Sequence, residues 1–298
     1  MTSPRRAVAH PRDPNHRPRW ADLHMHSTAS DGGYAPAKLM NMAAARRLAA
    51  VALTDHDTID GLSEAASAAA THGMEFVPGI ELEAKQGRRV VHILGYFINA
   101  ESPELLRQLA DERQRRDQRN REIVSRLAAL GIRLDYDALV KANGGRPLGR
   151  PHLANELVGL GIVSSFRQAF ARYLGSGAAA HVPRVVREAS DAVAMIRAAG
   201  GVASLAHPSR VGCETSLELE NVVRRMREAG LAALEVSHPD VTGEFARVCE
   251  RLATKLDLVP TGGSDFHRFV GAERHGTGFY GHRVPIEWIA ALRERRAG

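Results

Sequence analysis

Short apolar runs that alternate with helical segments are the feature that most limits the folds open to this chain. Stretches such as "AAVAL" (49–53) and "GGVASLA" (200–206) are continuously apolar, as buried parallel strands are. Seven runs are predicted strands: Trp20–His26, Ala49–Asp55, Glu75–Glu81, Arg89–Phe97, Gly201–His207, Ala232–Ser237 and Leu256–Asp265. Predicted helices are Pro36–Leu48, Gly61–His72, Ser190–Ala199, Leu217–Ala229, Gly243–Ala253 and a closing Pro285–Arg296. The alternation predicts parallel βα units and an α/β fold.

Length and composition exclude several classes of protein. At 298 residues, with 44% hydrophobic and 25% charged residues, the chain is globular, and it suits two domains or one α/β barrel. No apolar run reaches the roughly 18 residues of a membrane span, and the first residues lack the apolar core of a secretory signal. The two cysteines, Cys213 and Cys249, form no CxxC pair, which argues against a disulfide framework and favours a cytoplasmic location.

The positive charge is unevenly distributed. Of the net charge of +6, the first 19 residues contribute +4 through five arginines and one aspartate, which leaves +2 for the rest. Four prolines in the same stretch predict a disordered basic tail over residues 1–18. The tail would attract RNA nonspecifically, but the overall charge does not indicate a nucleic-acid-binding fold.

The strand–helix rhythm breaks between residues 101 and 185. Glu101–Leu130 is a long charged helical stretch with five arginines between residues 113 and 121. Acidic residues are interspersed among them, which favours a solvated helix face over an RNA track. We therefore predict a barrel domain from residues 19–100 and 186–298 and a helical insertion at 101–185 that caps the substrate.

Histidines and acids stand at or near the end of each predicted strand. They are His24 and His26, His56, Glu81, His92, His207, Glu235 with His238, and Asp265 with His267. In α/β barrels the carboxyl ends of the strands build the active site. Residues two apart on a strand point the same way, so His24 and His26 pair, as do Asp265 and His267.

A metal site explains this pattern better than ordinary structural roles do. Each histidine alone suits a hydrogen-bonded strand end, His92 alone suits a core position, and Asp57 equally suits a helix cap. Together, imidazoles and carboxylates without thiolates suit zinc, manganese or iron, whereas magnesium prefers oxygen ligands.

The motifs that contain these residues resemble one enzyme family. "DLHMHSTASDG", "TDHDT", "PGIE", "AHP" and "GSDFH" are similar, in this order, to those of the PHP (polymerase and histidinol phosphatase) family. The resemblance implies a distorted (β/α)7 TIM-like barrel of the PHP type that holds two to three divalent metal ions, with Mn²⁺ expected and Zn²⁺ or Fe²⁺ as alternatives. The implied ligands are His24, His26, Glu81 and Asp265 for one ion, Glu81, His92 and His207 for a second, and Asp31, His56 and His267 for a third.

The insertion resembles one subgroup of that family. "GRPLGRPHLA" and "AHPSR" are similar to the 3′,5′-nucleotide bisphosphate phosphatases and to the 5′-to-3′ exoribonuclease called ribonuclease AM. The resemblance implies a nucleotide or short oligoribonucleotide substrate, with Arg146, Arg150, His152 and Arg210 as binding residues for the phosphate that does not react. No membrane and no obligate protein partner is expected. Alternatives are a phosphatase on another small metabolite such as histidinol phosphate, an amidohydrolase, or a noncatalytic PHP binding module.

The expected chemistry is direct attack on phosphorus by a metal-bound hydroxide, without a phosphoenzyme. Asp31 is counted among the catalytic residues as well as the ligands. His207 and His238 are alternative groups to assist the leaving oxygen, and the sequence does not choose between them. Glu235 either orients a ligand from behind or faces solvent.

Overall fold

Eight strands and ten α-helices appear in the computed structural model, which describes residues 19–145, 148–269 and 278–296. The strands are β1 (Trp20–Asp22), β2 (Ala50–Leu53), β3 (Glu75–Gln86), β4 (Arg89–Tyr96), β5 (Val202–Leu205), β6 (Ala233–Ser237), β7 (Val259–Gly262) and β8 (Val284–Pro285). The helices are α1 (Pro36–Ala45), α2 (Leu62–Thr71), α3 (Pro103–Ala129), α4 (Tyr136–Ala142), α5 (Arg150–Gly159), α6 (Phe166–Ala169), α7 (Ala189–Ala198), α8 (Ser216–Glu228), α9 (Gly243–Lys255) and α10 (Glu287–Arg296). The predicted tail and Arg146 lie outside the described residues.

One sheet contains all eight strands, in the order β7-β6-β5-β4-β3-β2-β1-β8. The residues that follow β1 also pair with the residues that follow β7. Met25 and Phe266 form a parallel bridge, and the His26 N–H donates to the Phe266 carbonyl at 2.9 Å. This contact nearly closes the sheet into a barrel, which confirms the predicted α/β barrel fold. Strand β8, only two residues long, adds an antiparallel edge to β1 that the predicted seven strands did not include.

The β3–β4 pair departs from the predicted parallel βα units. The two strands form an antiparallel hairpin, and β4 is also antiparallel to β5. Two residues separate β3 from β4, which is too short for a parallel crossover, and Gly87 at φ 64° makes the turn. The prediction that His92 stands at a strand's carboxyl end is therefore wrong: it lies within β4, opposite Glu83.

Apolar side chains form separate cores in the barrel and in the insertion. In the barrel, the helices bury one face each; α8, for example, buries Leu219, Val222, Val223 and Met226 at helical spacing. A further cluster draws all its members from residues 123–182. Helix α3, 27 residues long, joins the two, because Leu105 packs into the barrel core and Ile123 and Leu127 into the other. We call residues 103–182 the cap.

Within the ranges given above, no helix is both long and apolar enough to cross a membrane.

Candidate metal centre

Four side chains meet at the mouth of the barrel and define the centre of the site. His24 and His26 follow β1, Glu81 lies in β3, and Asp265 follows β7. The Nε2 atoms of His24 and His26 lie 3.3 and 3.2 Å from Glu81 Oε2, and 3.4 and 3.2 Å from Asp265 Oδ1. Atoms bound to one metal ion at ordinary bond lengths are separated by about 3.0–3.5 Å, so these four donors fit around one cation.

The carboxylate of Glu81 also contacts three more histidines. Its Oε1 lies 2.8 Å from His92 Nδ1 and 3.0 Å from His207 Nε2. Its Oε2 lies 3.1 Å from His56 Nδ1. The sequence-predicted set of Glu81, His92 and His207 is therefore brought together around one fully buried carboxylate.

The third predicted set lies at the outer side of the same cluster. Asp31 Oδ1 is 3.3 Å from His267 Nε2 and 3.9 Å from His56 Nε2. These three residues offer donor atoms within 4.8 Å of one another, together with His26. Asp31 is the most exposed member, with a side chain 56% accessible to solvent. All nine predicted ligands thus converge in one cluster.

Asp55 holds the loop that carries Asp31, a role that its place in "TDHDT" alone does not predict. Its buried carboxylate accepts the Ser27 N–H and Oγ–H, both at 2.7 Å, and the Ser30 Oγ–H at 2.6 Å. The loop between β1 and α1 is thereby fixed next to His56.

Hydrogen bonds on the far side of two rings leave the near nitrogen available as an electron-pair donor. His24 Nδ1 donates to Glu235 Oε1 at 3.0 Å, and His267 Nδ1 donates to the Asp265 carbonyl at 2.9 Å. Glu235 is fully buried and also accepts the His207 N–H at 2.6 Å. Glu235 therefore orients the His24 ring through the nitrogen that faces away from the cluster, and the alternative that it faces solvent does not fit.

Several buried polar atoms at the centre have no hydrogen-bond partner among the described residues. They include His24 Nε2, His26 Nε2 and Glu81 Oε2, which face one another. Orphaned buried polar atoms are costly unless something else satisfies them. The donor set and its orphaned atoms together fit a bound cation.

The surroundings shift the pKa values of the clustered histidines in opposite directions. Burial alone lowers the pKa of His26, but the carboxylates of Asp265 and Glu81, each 3.2 Å from its Nε2, outweigh it and raise the pKa to about 9. Burial and the charge of His26 lower the pKa of His56 to about 4, despite the nearby Glu81. Burial opposes ionisation of Glu81, yet the positive charges of His56 and His24 hold its pKa well below the usual value.

Strained backbone conformations occur at the site. His207, Asp265 and Asp57 adopt positive φ angles of 23°, 51° and 51°, which non-glycine residues rarely do. Such strain persists where the surrounding structure enforces it, and it is typical of functional sites.

His238 lies beside the cluster with its tautomer fixed. Its Nδ1 accepts the Asp240 N–H at 3.0 Å, so the neutral ring carries its proton on Nε2. Nε2 is buried without a hydrogen-bond partner, 3.5 Å from Asp265 Oδ2. A ring in this state can donate a hydrogen bond through Nε2 but cannot offer Nε2 to a metal.

A cavity of about 1060 Å³ separates the cap from the barrel mouth. Asp31 and His56 line it on the barrel side, and Arg119, Arg150 and His152 line it on the cap side. His152 is exposed, and its Nδ1 accepts the Gly149 N–H. Arg210 is not among the lining residues; its guanidinium lies 2.7 Å from Asp265 Oδ2 and 2.6 Å from Asp240 Oδ2.

Asp57 connects the cap to the barrel, a role that the sequence did not indicate. It caps no helix, since α2 has Gly61 at its N-cap. Its buried Oδ2 instead accepts from Arg116 of α3 at 2.6 Å and from Arg184 at 3.0 Å. Arg184 also contacts Glu83 and Glu112. The arginine-rich helix is therefore not simply solvated.

Known proteins resemble this chain over most of its length. The PHP domain model matches residues 22–141. A 3′,5′-nucleoside bisphosphate phosphatase of Chromobacterium violaceum is 36% identical over 83% of this chain and 86% of its own length. A 5′-3′ exoribonuclease of Haemophilus influenzae is 36% identical over 83% and 89%. The crystal structure of a metal-dependent phosphoesterase from Bifidobacterium adolescentis, 26% identical, superposes with a TM-score of 0.76 over 94% of this chain and 98% of its own. With its cluster of histidines and acids at the barrel mouth, this chain belongs to the PHP family of metal-dependent phosphoesterases.

Proposed function

We propose that this enzyme hydrolyses nucleotide phosphate esters, as a 3′-phosphatase on 3′,5′-nucleotide bisphosphates, as a 5′-to-3′ exoribonuclease on short RNA, or as both. The observation that carries the proposal is one continuous site: the cluster of the nine predicted ligands, His207 among them, opens into a cavity large enough for a nucleotide. The two relatives with these activities support the choice of substrate.

The ligand set suits two or three divalent cations, and we propose Mn²⁺, with Zn²⁺ or Fe²⁺ as alternatives. Imidazoles suit zinc and iron, and carboxylates suit manganese. Bound cations would lower the pKa of water and stabilise the charge on phosphoryl oxygens. The carboxylates of Asp31, Glu81 and Asp265 offset only part of that positive charge, which leaves the site attractive to a phosphate dianion.

The other polar groups have separate roles in this proposal. His238 carries a hydrogen on Nε2 beside Asp265, and we propose that it donates a hydrogen bond to the leaving oxygen. We prefer it to His207, whose Nε2 faces Glu81 within the ligand set. For Arg210, which pairs with Asp265 beside the cluster, we propose binding of a substrate phosphate. Asp31 contributes to catalysis as one of the proposed metal ligands.

The two unpaired thiols, Cys213 and Cys249, support our expectation that the enzyme works in the cytoplasm.

A comparison of the enzyme's activity on three substrates tests the proposed function. Manganese-loaded enzyme is incubated with adenosine 3′,5′-bisphosphate, with a 5′-phosphorylated oligoribonucleotide and with histidinol phosphate, and phosphate release and product length are measured. We expect activity on the first or second substrate. Activity on histidinol phosphate alone would instead identify a small-metabolite phosphatase, and trapping of a phosphoenzyme would contradict direct attack by water.

A further inference from the structure

We propose that a group of aromatic rings behind the ligand cluster positions Asp31 against His267 and thereby controls the binding of one cation. We call these rings the aromatic clasp: Tyr34, Phe266, Phe269 and Phe279. The cation is the one assigned to Asp31, His56 and His267, which we call the outer ion. The inference rests on this part of the proposed function and not on the choice of substrate.

The exposure of the ligands explains why the outer ion needs support from elsewhere. The four donors at the centre of the cluster have side chains that are at most 7% exposed. In the outer set, the side chains of Asp31, His56 and His267 are 56%, 25% and 30% exposed. Ordering a loop or a side chain costs conformational entropy, so affinity is higher where other contacts have already ordered the ligands. Binding of the outer ion therefore depends on what holds Asp31 and His267 together.

The loop that carries Asp31 is attached to the segment that carries His267. The Gly33 N–H donates to the His267 carbonyl at 2.7 Å. The Thr28 N–H donates to the Tyr34 carbonyl at 2.9 Å, which closes the loop on itself. Asp55 fixes the first part of this loop, and Tyr34 stands at its other end. The position of Tyr34 therefore decides how the loop meets His267.

Stacked rings fix Tyr34 to the same segment. The Tyr34 ring lies nearly parallel to the Phe266 ring, at 11° and with centroids 6.0 Å apart. Phe266 directly precedes His267 in the chain and is fully buried. It stacks on Phe279 at 4.1 Å and meets Phe269 edge-on at 4.8 Å. Aromatic pairs at such separations stabilise a structure beyond the area that they bury.

A buried arginine anchors the clasp to helix α1. Arg46, the C-cap residue of α1, places its guanidinium carbon 4.9 Å from the centre of the Phe269 ring and 4.8 Å from that of Phe279. Cation–π contacts are stronger when the cation is shielded from water. Helix α1 begins two residues after Tyr34, so the helix and the rings hold that residue from both sides. The clasp thus connects the Asp31 loop, α1 and the segment after β7.

The central ligands have supports of their own. The ring of His24 is oriented by Glu235, and Glu81 lies within β3. Tyr34 acts on the outer set through the Asp31 loop and through Phe266, so it is a positioning residue. Removal of its ring should therefore weaken the outer ion and spare the others.

The experiment measures Mn²⁺ binding without substrate. Metal-free wild type, Tyr34→Leu and Tyr34→Phe are titrated with Mn²⁺ in a calorimeter, and the bound ions are counted by metal analysis. Asp31→Asn identifies the binding event of the outer ion, because it removes the charge of one ligand. We expect Tyr34→Leu to weaken that same event about 10-fold or more and to leave the other events unchanged, since groups that orient metal ligands contribute about 10- to 100-fold to affinity. Tyr34→Phe keeps the ring and should bind as wild type does.

Phe166→Leu is the matched control. It removes an exposed ring that pairs with Phe170 in the cap at 5.0 Å, and it should bind every ion as wild type does. Unchanged binding in Tyr34→Leu, or equal weakening of every event, would overturn the role of the clasp. If Asp31→Asn changes no event, the outer ion and the clasp fail together, whereas inactivity on nucleotides would refute only the proposed substrate. Should Tyr34→Leu fail to fold, Phe269→Leu carries the same test, because it removes a ring that contacts the Tyr34 ring.

Discussion

Substitution of Asp57 by asparagine tests how the cap is attached to the barrel. The carboxylate is only 4% exposed and accepts from two arginines at 2.6 and 3.0 Å. Asparagine keeps the shape and tolerates the positive φ of this position, so the change removes charge without adding backbone strain. Breaking a buried ion pair costs about 3–5 kcal/mol.

The expected loss is smaller than that range because of two compensations. Arg184 keeps Glu83 and Glu112, and the amide oxygen can still accept one hydrogen bond. We therefore expect Asp57→Asn to lower the free energy of unfolding by about 2–3 kcal/mol and Tm by about 4–8 °C. Asp60→Asn is the matched control: it removes an exposed pair between the same loop and the same helix, worth about 0–1 kcal/mol.

Thermal denaturation followed by circular dichroism measures both variants. The pH dependence gives a second check. Burial opposes ionisation of Asp57, but Arg116 and Arg184 outweigh it and lower its pKa in the folded protein. A depressed pKa stabilises the protein above the unfolded value of about 4 and loses its effect as pH falls below it. The difference between wild type and Asp57→Asn should shrink in that range. Equal losses for Asp57→Asn and Asp60→Asn at neutral pH would refute the reasoning.

Three further predictions concern the cluster. Glu235→Gln removes the carboxylate that orients His24 and should weaken Mn²⁺ binding about 10- to 100-fold, as measured by calorimetry; an unchanged affinity would count against this role. Gly263→Ala would place a Cβ 2.3 Å from that of His24, so we expect loss of soluble protein or of metal binding, and normal Mn²⁺ stoichiometry would contradict it. Burial lowers the pKa of metal-free His26, but the carboxylates of Asp265 and Glu81 outweigh it and raise that pKa to about 9, so a metal ion must displace a proton from the ring. The affinity for Mn²⁺ should therefore rise with pH up to about 9 and then level off. An affinity that does not change with pH would argue against His26 as a ligand.

Much of the site was predictable because several of the ligands follow a recognisable run of apolar residues. His24 and His26 come at the end of the apolar stretch that forms β1, and Asp265 and His267 follow β7, so strand periodicity alone indicated their common direction. Closure of the barrel then brings these two segments side by side.

Other features depend on contacts between residues far apart in the chain and had no local signal. The partners of Asp57 are supplied 59 and 127 residues later. The antiparallel hairpin was missed because the third strand was predicted to end at Glu81, whereas β3 continues to Gln86 and leaves only two residues for the turn before β4. The prediction of a solvated α3 overlooked Arg116 and Arg119, which turn toward the cavity.

The shared carboxylate of Glu81 has a consequence for how the centre fills with ions. Its Oε1 contacts His92 and His207, and its Oε2 contacts His24, His26 and His56. Its backbone is fixed on both sides, by β4 and by a bridge to His56, so the side chain alone can adjust. A cation held through one oxygen would therefore set the position of the other oxygen, so ions that shared Glu81 would not bind independently.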